Sequence, residues 1–239
     1  WAIDNVCLQG PMPDPPVVPP FIMATSSSST SMAIYWVASS DARSYVVERS
    51  TGPDGWLAIA RTGAGQNYFT DVNCIPSTTY AYRVKAQNIG GDSPYSRIAF
   101  GTTLSQIIEW QVQNLGSGDK PITTTGDDGI SYLARFAFNL GGTNQPALFV
   151  PGENTAGLPS ITFNEETHRL EITFLRRRAA MNPGISYHVQ FSDDLDAWTT
   201  GGLPVSTTPL DATWEIAHYT DTMISAHTRF GRVAVSLQQ

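Results

Sequence analysis

From residue 21 to residue 103 the sequence repeats one device: short runs in which apolar and polar residues alternate, recurring about every ten residues and separated by turn formers. A period of two puts successive side chains on opposite faces, so each run has one face to bury and one to leave in water. Several such strands solve the problem together by closing into a sandwich. Seven are predicted, at 21–25, 32–37, 44–50, 56–61, 68–71, 79–87 and 97–103. Composition agrees. The 239 residues include 41% hydrophobic and 10% aromatic side chains, only 15% charged ones, and 20 Gly with 16 Pro. That balance supports two compact cores and favours turn-rich β structure over amphipathic helices.

Three strings within 21–104 resemble the fibronectin type III family: Trp36 on the second strand, Tyr45-x-Val47-x-Arg49 on the third, and Cys74-x-Pro76-x-Thr78-x-Tyr80 entering the sixth. The resemblance implies that Tyr80 forms a tyrosine corner, its buried ring sending the hydroxyl back to backbone a few residues upstream. It also implies that Cys74 fills a site usually held by buried Leu or Val, and so acts as a core thiol. A disulfide between Cys7 and Cys74 is the alternative in a secreted chain; free thiols are the expectation.

Residues 1–10, WAIDNVCLQG, form a short apolar run ending at Gly10, and Pro11, Pro13, Pro15, Pro16, Pro19 and Pro20 follow. The first string resembles the closing strand of a jelly-roll domain, so it is expected to belong to a preceding domain. The second, 11–20, is expected to be a semi-rigid, polyproline-like linker. A chain whose first residue is Trp1 and not Met, with no signal peptide visible, is expected to be part of a longer one.

A second module is expected over 105–239. Ile107, Ile108, Trp110, Val112 and Leu115 are spaced as one helical face before Gly116, and Ile130, Leu133, Phe136, Ala137 and Leu140 suggest a second helix over 129–140. Alternation returns at 160–164, 169–175, 185–192, 213–218 and 228–237, with Trp198 between. The fold class is therefore mainly β: two β-sandwich modules, the second Ig-like and preceded by two short helices. Trp110, Asp128-Gly129-Ile130-Ser131, Leu133-x-x-Phe136-Ala137 and Tyr187-x-Val189-x-Phe191-Ser192-x-Asp194-Leu195-x-x-Trp198 resemble a C-terminal domain of large secreted proteins from Verrucomicrobia-type bacteria. In that domain the Asp-rich loop often resembles an EF-hand-like calcium loop. Here, with Gly129 at loop position 6, the ligand positions 1, 3 and 12 hold Thr124, Gly126 and Arg135, so no calcium is expected. Asp127 and Asp128 read as acids at a helix N-terminus.

Catalytic signals are poor. Gly91-Asp92-Ser93 resembles the nucleophile block of one esterase family, but Pro94 follows it and the string reads as a turn. His168, His188, His218 and His227 read as strand-borne and solvent-facing, and the acid pairs Glu165–Glu166 and Asp193–Asp194 read as turn residues. Candidate ligand-binding residues are Arg176, Arg177 and Arg178, which could meet a sulfated or carboxylated polysaccharide or simply keep a strand end charged, and Trp56, with Trp198 and Trp214 as further candidates for stacking on sugars. Trp36 and Trp110 read as core.

A net charge of −7 with 14 Lys and Arg argues against nucleic acid. No apolar run approaches the roughly 20 residues of a membrane helix. No catalytic residue, metal or cofactor is expected. The expected role is non-catalytic: a spacer or attachment segment of a secreted or cell-surface bacterial protein, with an extracellular polysaccharide or another surface protein as partner. The alternatives are a carbohydrate-binding accessory module of a polysaccharide-degrading enzyme and a fibre subunit that self-assembles by donating residues 1–10 as a strand.

Overall fold

The computed structural model describes residues 12–52, 55–141, 147–202, 204–224 and 228–238. The strand expected over 1–10, the donation built on it, Cys7 and His227 lie outside these residues. The chain divides into two compact units, Trp1–Leu104 and Ser105–Gln239.

The first unit holds β1 (Ile22–Ser26), β2 (Met32–Trp36), β3 (Ser44–Ser50), β4 (Leu57–Gly63), β5 (Tyr68–Asp71), β6 (Thr79–Asn88), β7 (Gly91–Asp92) and β8 (Ala99–Thr102). One sheet runs β1-β2-β5; the other runs β4-β3-β6, with β7 and β8 both pairing with β6. All the pairings are antiparallel. Alternation decides what is buried: Met32, Ile34 and Trp36 from one sheet meet Tyr45, Val47, Tyr80, Tyr82, Val84 and Ala86 from the other. This is a fibronectin type III-like sandwich. Its corner is in place, since the Ile75 amide donates to the Tyr80 hydroxyl at 2.7 Å. Cys74 is a free, buried thiol in this core.

The last strand, expected over 97–103, is β8, and the string read as a turn at Gly91-Asp92 forms the short strand β7 ahead of it, also paired with β6. Pro94 cannot donate to a ladder, so between β7 and β8 two serines hold the chain to β6. The Ser93 hydroxyl accepts from the Ala86 amide at 2.9 Å and that of Ser96 from the Val84 amide at 3.0 Å. The proline-rich stretch over 12–20 is also docked where a spacer was expected. Pro16 and Pro19 are buried, and the Asn88 side chain donates to the Asp14 carbonyl at 2.9 Å. A Cβ on Gly90 would stand 1.8 Å from the Pro13 carbonyl oxygen, so only glycine fits there. Prolines bring no N–H that needs a partner, which suits them to lying against another surface.

The second unit opens with α1 (Gln106–Leu115), capped by the Ser105 hydroxyl and closed by Gly116 at φ 72°. Helix α2 (Tyr132–Ala137) is shorter than the 129–140 expected: Ser131 caps its start, and Asn139 at φ 56° stops any continuation. Then follow β9 (Ser160–Asn164), β10 (Arg169–Arg177), β11 (Ile185–Ser192), β12 (Thr199–Thr200), β13 (Ser206–Pro209), β14 (Trp214–Thr220) and β15 (Phe230–Leu237). The sheets run β13-β14-β10-β9 and β12-β11-β15. Their facing sides, carrying Ile172, Phe174, Val189, Phe191, Ala217 and Tyr219, share one core with Trp110 of α1 and Leu133, Phe136 and Ala137 of α2. Phe149, Leu175 and Trp214 form a satellite core. Ile108 and Val112, expected on the buried face of α1, are exposed, and Gln106 and Gln111 are buried. The inward stripe is therefore narrower than the run of apolar residues suggests.

Candidate functional site

On the outer face of the five-stranded sheet of the first unit, Ser50, Ala81 and Phe100 stand in register across β3, β6 and β8. Two small residues beside a large one leave a trough. Trp56, just before β4, walls one side; Ile98 and Phe100, 49% and 67% exposed, wall the other. The groove has a volume of about 420 Å³ and its walls are mostly apolar.

Beside it lies a closed set of charges. The Arg83 guanidinium lies 4.2 Å from the Trp56 ring centre and 3.8 Å from that of Tyr95. It pairs with Glu48 at 2.7 Å, and the Tyr95 hydroxyl donates to the same carboxylate at 2.7 Å. Burial alone would raise the Glu48 carboxyl, but the Tyr95 and Arg83 hydrogen bonds outweigh it and hold it below the usual glutamate range. Lys85 pairs with Asp92 at 2.6 Å. Trp56 thus sits between a neutralised charge network and an apolar trough, an arrangement that can receive a flat apolar face.

The arginine strand is laid out differently. Arg176 pairs with its cross-strand neighbour Glu215 at 2.7 Å. The Arg178 guanidinium donates to the Asp211 carbonyl at 3.0 Å. Arg177 turns into the structure. Its Nε donates to the Phe136 carbonyl and its Nη1 to Gln106 Oε1, both at 3.0 Å, and its guanidinium lies 3.8 and 4.4 Å from the Phe136 and Trp214 ring centres. Burial pushes its pKa down to about 10, still far enough above neutrality to keep the charge. Tyr187 joins it: its hydroxyl donates to the Ala137 carbonyl at 2.7 Å and accepts from the Arg177 amide at 3.1 Å, and burial pushes that phenol up to about 12. Arg177 and Tyr187 therefore supply donors to the last carbonyls of α2, which have no partners within the helix. The three arginines do not form one cluster, and Trp56 belongs to the other unit.

In the Asp-rich loop Asp128 accepts from the Ile130 amide at 3.2 Å and pairs with Arg135. Arg135 is buried and also donates to the Gly141 carbonyl at 2.7 Å. The cation that aligns with a calcium-loop ligand position is thus the counter-ion of the loop's own acid. Sequence reasoning missed this pair, although a basic residue seven places after the acid was its signal.

Trp214, a candidate for exposure, is buried because it packs against Leu175 and Phe149. Trp198, the other stacking candidate of this unit, is half-buried and lies under Arg232, whose guanidinium is 3.9 Å from its ring centre. His218 bonds Thr173 at 2.9 Å and His188 bonds Ser236 at 3.1 Å. Among the described residues no group of three or more His, Cys, Asp and Glu is placed to hold a metal ion, and no helix is long and apolar enough to cross a membrane.

No family model matches the chain, and no curated protein matches it. Similar solved structures include a Fn3-like protein from Clostridium thermocellum, 29% identical over 38% of this chain and 93% of that one, with a TM-score of 0.33. Others are the sixth fibronectin type III domain of human fibronectin type III domain containing protein 3 (22% identity, 41% and 93%, TM-score 0.35) and the FN5 domain of Drosophila Lar (24%, 38% and 98%, TM-score 0.32).

Proposed function

We propose that this chain is a non-catalytic segment of a secreted or surface-attached bacterial protein, composed of a fibronectin type III domain over 21–104 and a helix-plus-sandwich domain over 105–239, and that it serves as a spacer and attachment module. The observation that carries this reading is the contrast on the outer sheet of the first unit, where Glu48, Arg83, Lys85 and Asp92 neutralise one another beside an open apolar groove. A site that works by proton transfer keeps a titratable group free to exchange with substrate; a surface that works by contact presents apolar area with its charges satisfied. The resemblance of 105–239 to C-terminal domains of large secreted proteins supports the extracellular placement.

A second reading, a carbohydrate-binding accessory module, is favoured by one feature: Trp56 and Phe100 face the same trough and could stack on the apolar faces of a sugar ring. Incubation of the chain with neutral and sulfated polysaccharides, with retention and release of reducing ends both measured, tests the proposal. Retention without release is expected. Release of sugar from any of them would overturn the non-catalytic reading.

A further inference from the structure

The other sheet of the first unit has an outer face of unusual composition. Its side chains stand in three cross-strand rows: Phe21 beside Val37, Met23–Tyr35–Tyr68, and Thr25–Ala33–Thr70. Phe21 and Val37 lie just beyond the strands but are joined by a hydrogen bond from the Val37 amide to the Phe21 carbonyl at 3.0 Å. Their neighbours in sequence, Ile22, Ile34 and Trp36, fill the core, so these residues are the ones alternation turns outward. Phe21, Met23, Tyr35, Val37 and Tyr68 are 45–56% exposed, and none of the three rows contains a charged residue. The solvated face of an antiparallel sheet is ordinarily polar.

We propose that this face is a homophilic interface, on which a second copy of the same chain stacks sheet to sheet. Three observations select that occupant. The residue types are those of a protein–protein interface core, with Tyr, Phe and Met present and Lys, Glu and Asp missing; a sugar would find only the Tyr and Thr hydroxyls as polar partners. Each copy carries a net charge of −7, so two copies meet without placing like charges together, and without stripping water from ions, only through an uncharged face. The five apolar side chains expose on the order of 500 Å² per copy, and covering both removes about 1,000 Å², the low end for a specific and weak association. β2 is the middle strand, so in a two-fold pairing Tyr35 lies near the axis and faces its own counterpart. The inference is independent of the groove on the opposite sheet.

Sedimentation of the full chain up to about 1 mM tests it, with a Kd on the order of 100 µM expected for a contact of this size. Tyr35→Glu and Tyr35→Lys should each weaken association at least about tenfold, and an equimolar mixture of the two should restore it, because the axis then joins opposite charges. Tyr68→Glu should also weaken it, and Phe100→Ser, on the other sheet, should not. Tyr35 and Tyr68 are half-exposed, and circular dichroism would establish that these variants keep the fold. A wild-type chain that stays monomeric, Tyr35 variants that associate as tightly as wild type, a mixture that restores nothing, or loss of association in Phe100→Ser would each overturn the proposal.

Discussion

Arg177 and Phe136 are joined twice: the guanidinium donates to the Phe136 carbonyl at 3.0 Å and lies 3.8 Å from the centre of the Phe136 ring. A residue near the end of a strand thereby fixes the end of a helix to the sheet. Arg177→Ala removes donors from the carbonyl end of α2 and from Gln106, and leaves a gap between the Phe136 and Trp214 rings. A loss of about 2–4 kcal/mol in urea unfolding is expected. Binding to a sulfated polysaccharide that falls while stability is unchanged would instead make Arg177 a ligand contact.

Tyr80 and Ile75 form the corresponding tie in the first unit. Tyr80→Phe keeps the buried ring and deletes the acceptor of the Ile75 amide, so a destabilisation of about 1–3 kcal/mol is expected in the same assay. No change in the urea midpoint would mean that water replaces the hydroxyl without cost.

The Cys74 thiol has its pKa pushed up, first by burial, and its sulfur lies 3.7 Å from the Tyr82 hydroxyl. Thiolate, the reactive form, is therefore scarcer than for a free cysteine at the same pH. The peptide bearing Cys74 should resist iodoacetamide at pH 8 in the folded chain and react once urea unfolds it. Rapid labelling of the folded chain would contradict this.

The Asp128 carboxyl is held below the ordinary aspartate value of 3.8, first by the hydrogen bond from Arg135 and then by that from the Ile130 amide. A carboxylate depressed in the folded state contributes stability that is complete above its unfolded value and lost as pH falls through the folded one. Wild type should therefore melt above Asp128→Asn at neutral pH, and the gap should close below about pH 4. A gap that does not shrink as pH falls below about 4 would assign the effect to shape instead of charge.

The sandwich of the first unit was legible because short apolar runs recur there between turn formers: residues 44–50 and 68–71 read as strands coincide with β3 and β5. β13, Ser206–Pro209, carries no apolar alternation and is exposed along its whole length, so it offered nothing to read. The roles of the arginines needed the cross-strand register. Alternation puts Arg177 on the face opposite Arg176 and Arg178, but only the pairing of β10 with β14 shows Glu215 opposite Arg176 and Trp214 opposite Arg177. The groove was half legible. Trp56 stood out as an aromatic, whereas Phe100 joins it through pairing with Ala81, a partner nineteen residues back that local sequence cannot name.

Isothermal titration of the chain with a neutral soluble β-glucan, on wild type and on Trp56→Ala, Phe100→Ala and Arg177→Lys, tests most directly the claim that the exposed groove makes contacts and the arginine strand makes structure. Binding that falls at least about tenfold in Trp56→Ala and Phe100→Ala and stays unchanged in Arg177→Lys is the predicted result, since an aromatic stacking contact is worth on the order of 1–2 kcal/mol. Binding that survives both groove substitutions and is lost on replacing Arg177 would contradict the account.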